Sequence, residues 1–169
     1  MAWTDLTVVT ERIVLRPFVE TDKPAIIDMR TDAQVYRYLG GPAGPEFAEE
    51  IAGATVGEQW GVFAIADRAT DAAIGSTHFS RDRGELEVSY ELLPTHWGQG
   101  LAFEAVGATI GWAGAHLDDD TVIAVTQTAN AKSVALLERL GFEFVRAFEE
   151  FDAEQGEFRR LVQREPMGG

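Results

Sequence analysis

The chain has 169 residues, of which 28 are acidic, 14 basic and none cysteine. Its net charge of −14 repels nucleic acid and anionic membrane surfaces and attracts cationic amines, while also securing solubility. The missing thiols exclude disulfides, thiolate catalysis and cysteine-ligated metals. Met-Ala-Trp-Thr-Asp at the start carries no basic segment leading into an apolar run, and no stretch reaches the roughly 18 apolar residues of a spanning helix. The expectation is a cytoplasmic protein of one domain over residues 1–169.

Residues 6–16 are β-branched and apolar, and Pro17 interrupts the ladder, which predicts a first strand ending near Arg16. Thr21, Asp22 and Pro24 suit the start of a helix over 23–30, and a second helix is predicted over 33–39. Gly40-Gly41-Pro42-Ala43-Gly44-Pro45 is a loop, with a helix over 46–59 after it. Runs at 60–66, 73–79 and 86–93, separated by polar turns, predict an antiparallel meander. Over 100–117, Leu101, Ala105, Ile110, Ala113 and Leu117 recur at helical spacing. Gly107, Gly111 and Gly114 each cost that helix up to about 1 kcal/mol relative to Ala, an expense that close packing on a sheet would offset. Asp118-Asp119-Asp120 turns the chain into a strand over 121–126. Asn130 caps a helix over 131–140 that Gly141 ends, and strands at 142–151 and 158–164 flank a turn at 152–156. The order β, αα, βββ, α, β, α, ββ is that of a mixed α+β domain around one central sheet.

Residues 94–104, Pro-Thr-His-Trp-Gly-Gln-Gly-Leu-Ala-Phe-Glu, place two glycines between an apolar strand and a long helix. Glycine admits unusual dihedrals and close approach of a ligand, and the first amides of a helix lack intrahelical acceptors and sit at its positive end. That is the recipe for a phosphate cradle. Phe103 replaces the third glycine of the dinucleotide fingerprint, and no Gly-Lys-Ser/Thr follows, so neither of the two commonest phosphate loops fits. A tight strand-to-helix turn without a ligand has the same spacing.

Further segments accompany the loop: Thr-Glu-Arg-Ile-Val-Leu-Arg-Pro at 10–17, Ile74-Gly75, Trp-Gly-Gln-Gly-Leu-Ala-Phe-Glu-Ala at 97–105, Asn-Ala-Lys-Ser at 130–133 and Leu-Leu-Glu-Arg-Leu-Gly-Phe at 136–142. With these in this order the chain resembles the GNAT superfamily of acyl-CoA-dependent N-acetyltransferases, and most closely its Rim-type branch, named for enzymes that acetylate ribosomal-protein N-termini. The resemblance covers essentially the whole chain. It implies a mostly antiparallel mixed sheet of about seven strands, splayed between the fourth and fifth and flanked by about four helices. It also implies acetyl-CoA as the acyl donor, no metal, an amine acceptor and, as in many similar proteins, a homodimer.

The family's pyrophosphate motif, Gln/Arg-x-x-Gly-x-Gly/Ala, falls on residues 95–100, and Thr95 departs from its first position. By resemblance, Trp97, Gly98, Gln99, Gly100, Leu101 and Ala102 hold the coenzyme phosphates. Backbone groups of Leu92 and Leu93 pair with the pantetheine arm like an added strand, and one of their amides meets the oxyanion. Asn130 and Ser133 face that arm across the splay, although Asn130 also reads as a plain helix cap.

Glu85, Glu87, Ser89 and Glu91 share one strand face, and Glu87 stands where the family often places its general base; a solvated sheet face alternates in the same way. The tyrosine that many of these enzymes use as acid is replaced by Leu137, leaving Ser133 as a hydroxyl near the sulfur, better able to hydrogen-bond a thiolate than to protonate it. Tyr90, on the opposite face from Glu87, reads as core. His78 and His96 are candidate bases or proton relays, with surface or satisfied histidines as the plainer reading. Tyr36, Tyr38 and His78 are expected near the acceptor, whereas Phe47 and Trp60 read as core. The acids Glu149, Glu150, Asp152, Glu154 and Glu157 are a solvated turn or, if they line the entrance, a preference for polyamines, aminoglycoside-type antibiotics or basic N-termini. An acyl-CoA sensor without turnover is the alternative to an enzyme.

Overall fold

A computed structural model describes residues 7–164. One eight-stranded sheet runs β1 (Val8–Val9), β2 (Ile13–Arg16), β3 (Val62–Asp67), β4 (Ala73–Ser80), β5 (Glu87–Leu92), β6 (Thr121–Gln127), β8 (Ala153–Leu161), β7 (Glu143–Glu150). All neighbours are antiparallel except β5 and β6. Helices α1 (Lys23–Thr31) and α2 (Pro45–Thr55) pack together, with α1 against β4; α3 (Leu101–His116) and α4 (Ala131–Arg139) pack on strands β2, β4, β5 and β6.

Strand alternation divides the core between the two faces. Phe63 and Ile65 of β3 join Val88 and Leu92 of β5 and Leu101, Val106 and Ile110 of α3 in one cluster, whereas Ala64 and Ala73 lie with Phe18, Ile26 and Ala52 in the other. Trp112 anchors the larger cluster, its ring edge-on to Phe63 at 5.3 Å and stacked near Phe79 at 6.1 Å, contacts that add roughly 1 kcal/mol beyond burial.

Three predicted elements differ. The first strand is a hairpin: Thr10 N–H and Oγ1 both donate to the Ile13 carbonyl, which folds β1 back on β2 with Val8 opposite Leu15. Alternation alone does not register such a turn, and Leu6 lies outside the described residues. The predicted helix over 33–39 is a series of turns: Asp32 Oδ1 caps its start by accepting the Gln34 and Val35 amides, but Leu39 and Gly41 N–H both turn back to the Tyr36 carbonyl, and Gly40 and Gly41 at φ near 90° end the segment. The last strand begins at Ala153 rather than 158, since Phe151 and Asp152 alone make the turn, both at positive φ. Of the helix glycines, only Gly114 is forced by contact, a Cβ there falling 2.1 Å from the Gln163 carbonyl; Gly111 has nothing within 4 Å.

Candidate active site

The connection from β5 to α3 is held open by backbone. Gly98 and Gly100 take φ of 74° and 76°, a left-handed geometry that costs other residues strain, and Gly100 is the N-cap of α3. The amides of Leu101, Ala102 and Phe103 begin that helix without intrahelical acceptors. Arg12 fastens the loop to the β1–β2 hairpin: its guanidinium donates to the Gln99 carbonyl at 2.7 Å and to Glu104 at 2.8 Å, and Glu104 also accepts from the Arg12 amide and Thr10 Oγ1. Burial pushes the Glu104 carboxyl up, but the Thr10 and Arg12 hydrogen bonds outweigh it and hold the group below its ordinary range. Lys132 lies over the Trp97 ring and Arg139 over Phe103, so three cations surround this turn in an acidic protein.

Beside the loop the sheet splits. Strands β5 and β6 pair only at Glu87 opposite Ile123, with the Ile123 amide on the Leu86 carbonyl; beyond Glu87 they diverge, and β6 pairs with β8 instead. The register of β5 on β4 decides which groups line the gap. Leu93 N–H donates to Ile74 O at 2.9 Å while Leu92 stands opposite Gly75, which makes Leu92 and Gly75 a non-hydrogen-bonded pair whose polar groups point away from one another. Leu92 N–H therefore faces the gap, and its carbonyl accepts Trp97 Nε1 at 2.7 Å. Both backbone groups of Leu93 already have partners, the carbonyl taking the His96 amide. From the other bank Asn130 caps α4 by accepting the Ser133 amide, and Ser133 Oγ lies 2.7 Å from Tyr90 Oη. Burial raises the Tyr90 phenol above its ordinary value, and the Ser133 bond works against that rise.

On the opposite face, α1, β4 and β5 enclose a cavity of about 190 Å³ lined by Ile26, Met29, Arg30, Ser76, His78 and Glu91, among others. Glu91 is buried; it accepts from Tyr36 Oη at 2.7 Å and Ser76 Oγ at 3.3 Å, with Arg30 Nη2 at 4.0 Å. Burial, then the Glu91 charge, drives the Tyr36 phenol far above its ordinary value, so it stays a donor. Burial lowers His78 below the ordinary 6.5, Glu91 opposes and Arg30 reinforces this, leaving a neutral imidazole at neutral pH.

A family described as "Acetyltransferase (GNAT) domain" matches residues 12–143, more than three quarters of the chain. This chain belongs to the GNAT acetyltransferase family. It is 26% identical over 159 residues to the Uncharacterized N-acetyltransferase p20 of Bacillus licheniformis, covering 89% of each chain. A GNAT-family acetyltransferase structure from Bacillus anthracis superposes with a TM-score of 0.82 at 19% identity, over 93% of this chain and 99% of that one. The spermidine N-acetyltransferase of Vibrio cholerae, solved with CoA and spermine, has a TM-score of 0.76 at 18% identity, over 90% and 97%.

In this GNAT chain the fold brings Trp97, Gly98, Gln99, Gly100, Leu101, Ala102, Leu92, Asn130 and Ser133 to one side of the sheet, around the splay. Of the residues expected near the acceptor, His78 lines the cavity, Tyr36 reaches it through Glu91, and Tyr38 is not part of the lining, its ring lying under Arg37 and its carbonyl accepting Gln127 Nε2. Glu87 lies at the closed foot of the splay with Arg83 Nε 3.0 Å away, and Arg83 is also bidentate to Glu150. Burial raises the Glu87 carboxyl and Arg83 opposes it. The Glu85, Glu87, Ser89, Glu91 face is no solvated stripe: Arg159 binds Glu85, Arg83 pairs with Glu87, and Glu91 lines the cavity. Phe47 and Trp60, read as core, are 59% and 47% exposed, whereas Tyr90, also read as core, ends in the Ser133 contact. Arg12 and Arg30 escaped sequence reading because each acts on residues more than 60 positions away, and nothing in a local pattern marks them.

Proposed function

We propose that this GNAT acetyltransferase takes acetyl-CoA as donor and passes the acetyl group directly to a primary amine in a ternary complex. The observation that carries this reading is the free edge at Leu92. Its amide faces the gap between β5 and β6, with the glycine turn at one end and the His78 cavity on the other face. Pyrophosphate would sit on the amides from Gly98 to Ala102, and the pantetheine arm would lie along β5 at Leu92, opposite Asn130 and Ser133, since both backbone groups of Leu93 are already bonded. The splay lets a thioester in the gap meet an amine from the cavity.

In that arrangement the amine nitrogen attacks the thioester carbonyl carbon and Leu92 N–H donates to the developing oxyanion, a contribution worth about 10²–10³ in rate. The nitrogen surrenders a proton as the C–S bond breaks. His78 is the proposed base, since it is neutral and lines the cavity, whereas Glu87 is tied to Arg83 below the gap. The departing thiolate accepts a hydrogen bond from Ser133, whose hydroxyl Tyr90 orients. This pair stabilises the thiolate where Leu137 offers no hydroxyl, and the thiolate takes its proton from solvent. Calorimetry with acetyl-CoA, followed by thiol release with a panel of amines and N-terminal peptides, tests the reading. Coenzyme binding with amine-dependent thiol release supports it; binding with no release on any amine would leave an acyl-CoA sensor.

A further inference from the structure

The acceptor cavity contains one carboxylate and one guanidinium, and their pairing is incomplete. Arg30 Nη2 stops 4.0 Å from Glu91 Oε1, beyond hydrogen-bond reach, its guanidinium lying over the Tyr36 ring while Glu91 accepts from Tyr36 and Ser76. Arg30 Nε is buried and, among the described residues, has no hydrogen-bond partner. An orphaned guanidinium donor in a cavity is costly and calls for an acceptor from a ligand. The planar fork of Arg is suited to a carboxylate, which it takes by two parallel bonds.

The remaining walls define the rest of that ligand. Ile26, Met29 and Val62 present an apolar surface. The volume, about 190 Å³, lies below the roughly 300 Å³ at which drug-sized sites begin. The acids of the β7–β8 hairpin are not part of this lining, and two of them are already paired, Glu150 with Arg83 and Glu157 with Arg146 and Arg159. Glu91 is the single carboxylate of the lining, facing a cation.

Resting on the acetyltransferase reading for its chemistry, we infer that the acceptor is a small free α-amino acid with an apolar side chain. Its carboxylate lies on Arg30 and its amine lies between Glu91 and His78. Glu91 attracts the incoming ammonium, which gives one proton to solvent to free its lone pair, and His78 takes the second proton as the amine attacks and the C–S bond breaks. The spermine-type acceptors named for a protein of the same fold carry several positive charges and no group for Arg30.

The test pairs direct binding with turnover on the whole protein. Leucine, leucinamide, an alanyl peptide and spermidine are titrated into the protein saturated with desulfo-CoA, following the His78 imidazole by NMR, and each is then assayed with acetyl-CoA. Leucine is expected to bind at least about tenfold tighter than leucinamide and to be the best acceptor. In Arg30→Met the leucine-to-leucinamide ratio should fall toward one, through KM rather than kcat, with Arg30→Lys restoring part of it; coenzyme affinity and circular dichroism report that both variants are folded. Leucine that binds with this Arg30 dependence but is never acetylated would support the pocket and sink the acetyltransferase reading. Turnover of spermidine or the peptide above that of leucine would overturn the pocket assignment and leave the enzyme standing. Equal binding of leucine and leucinamide would overturn it too.

Discussion

The two faces of the splayed sheet are built from different materials. The face proposed for the coenzyme is made of backbone: a nine-residue stretch from Leu92 to Gly100, two left-handed glycines and the free first amides of α3. The face proposed for the acceptor is made of side chains, Arg30 from α1, Tyr36 from the following turns, Ser76 and His78 from β4, and Glu91 from β5. A backbone site is contiguous in sequence and indifferent to most substitutions. A side-chain site is scattered and sensitive at each contributor.

The largest effect expected on the coenzyme face follows from changing what its backbone can do. Gly100→Val forces a β-branched residue to φ near 76°, a strain of about 1–3 kcal/mol, and points a side chain into space that is open apart from Arg12 Nη2 at 3.5 Å. Acetyl-CoA affinity, measured by calorimetry, should fall at least about a hundredfold from strain and obstruction together, with the melting midpoint lowered by roughly 2–12 °C as the same strain costs the folded state. Unaltered affinity would mean that the phosphates bind elsewhere.

This division explains what was legible in the sequence. The glycine turn, the Asn130 cap and the long helix from Leu101 were readable because their causes lie within a few residues. The hairpin at Thr10, the turns after Asp32 and the early start of β8 were not, because a single side-chain bond or a pair of positive-φ residues overrides the hydrophobic pattern. The site followed the same rule. Trp97 through Ala102 were proposed from one contiguous loop and its resemblance to a family motif, whereas Arg30 beside Glu91 and Tyr90 beside Ser133 depend on contacts across 61 and 43 positions. Alternation placed Glu87 and Glu91 on one face but did not tell the salt-bridged foot of the splay from the cavity wall.

On the acceptor face, His78→Gln should lower kcat by about a hundredfold, the lower range for a general base, with acetyl-CoA affinity unchanged. The wild-type acid limb of kcat/KM should lie below the ordinary histidine value, since burial lowers His78. The same depression has a stability consequence: the unfolded chain binds this proton more readily than the folded one, so the His78 contribution is complete above about 6.5 and is lost as pH falls through the lower folded value. Urea unfolding across that window should show a smaller pH slope in the variant. Glu87→Gln, by contrast, should change kcat by less than about threefold, far short of what loss of a base costs. A large loss with an altered acid limb would return the base to Glu87.

Arg12 is the one place where the coenzyme face leans on a side chain. Arg12→Ala frees the Gln99 carbonyl and leaves Glu104 with Thr10 Oγ1 and the backbone amide of residue 12, while the loop glycines keep their geometry. Because Arg12 is exposed and its pairing is screened, the expected loss in acetyl-CoA affinity is only about fivefold, near 1 kcal/mol, and smaller at high salt.

The smallest effect sharpens the contrast most. Gln99 sits between the two loop glycines, yet its side chain makes one long contact, Nε2 to the Thr95 carbonyl at 3.3 Å, while its carbonyl receives Arg12. If the cradle is backbone, Gln99→Ala should bind acetyl-CoA within about twofold of the parent, because the dihedrals, the Arg12 clamp and the helix amides all survive, and the lost exposed contact is worth well under 1 kcal/mol. A tenfold loss from this truncation would place a side chain on the phosphates. The coenzyme face would then be read by the same residue-by-residue logic as the cavity around Glu91.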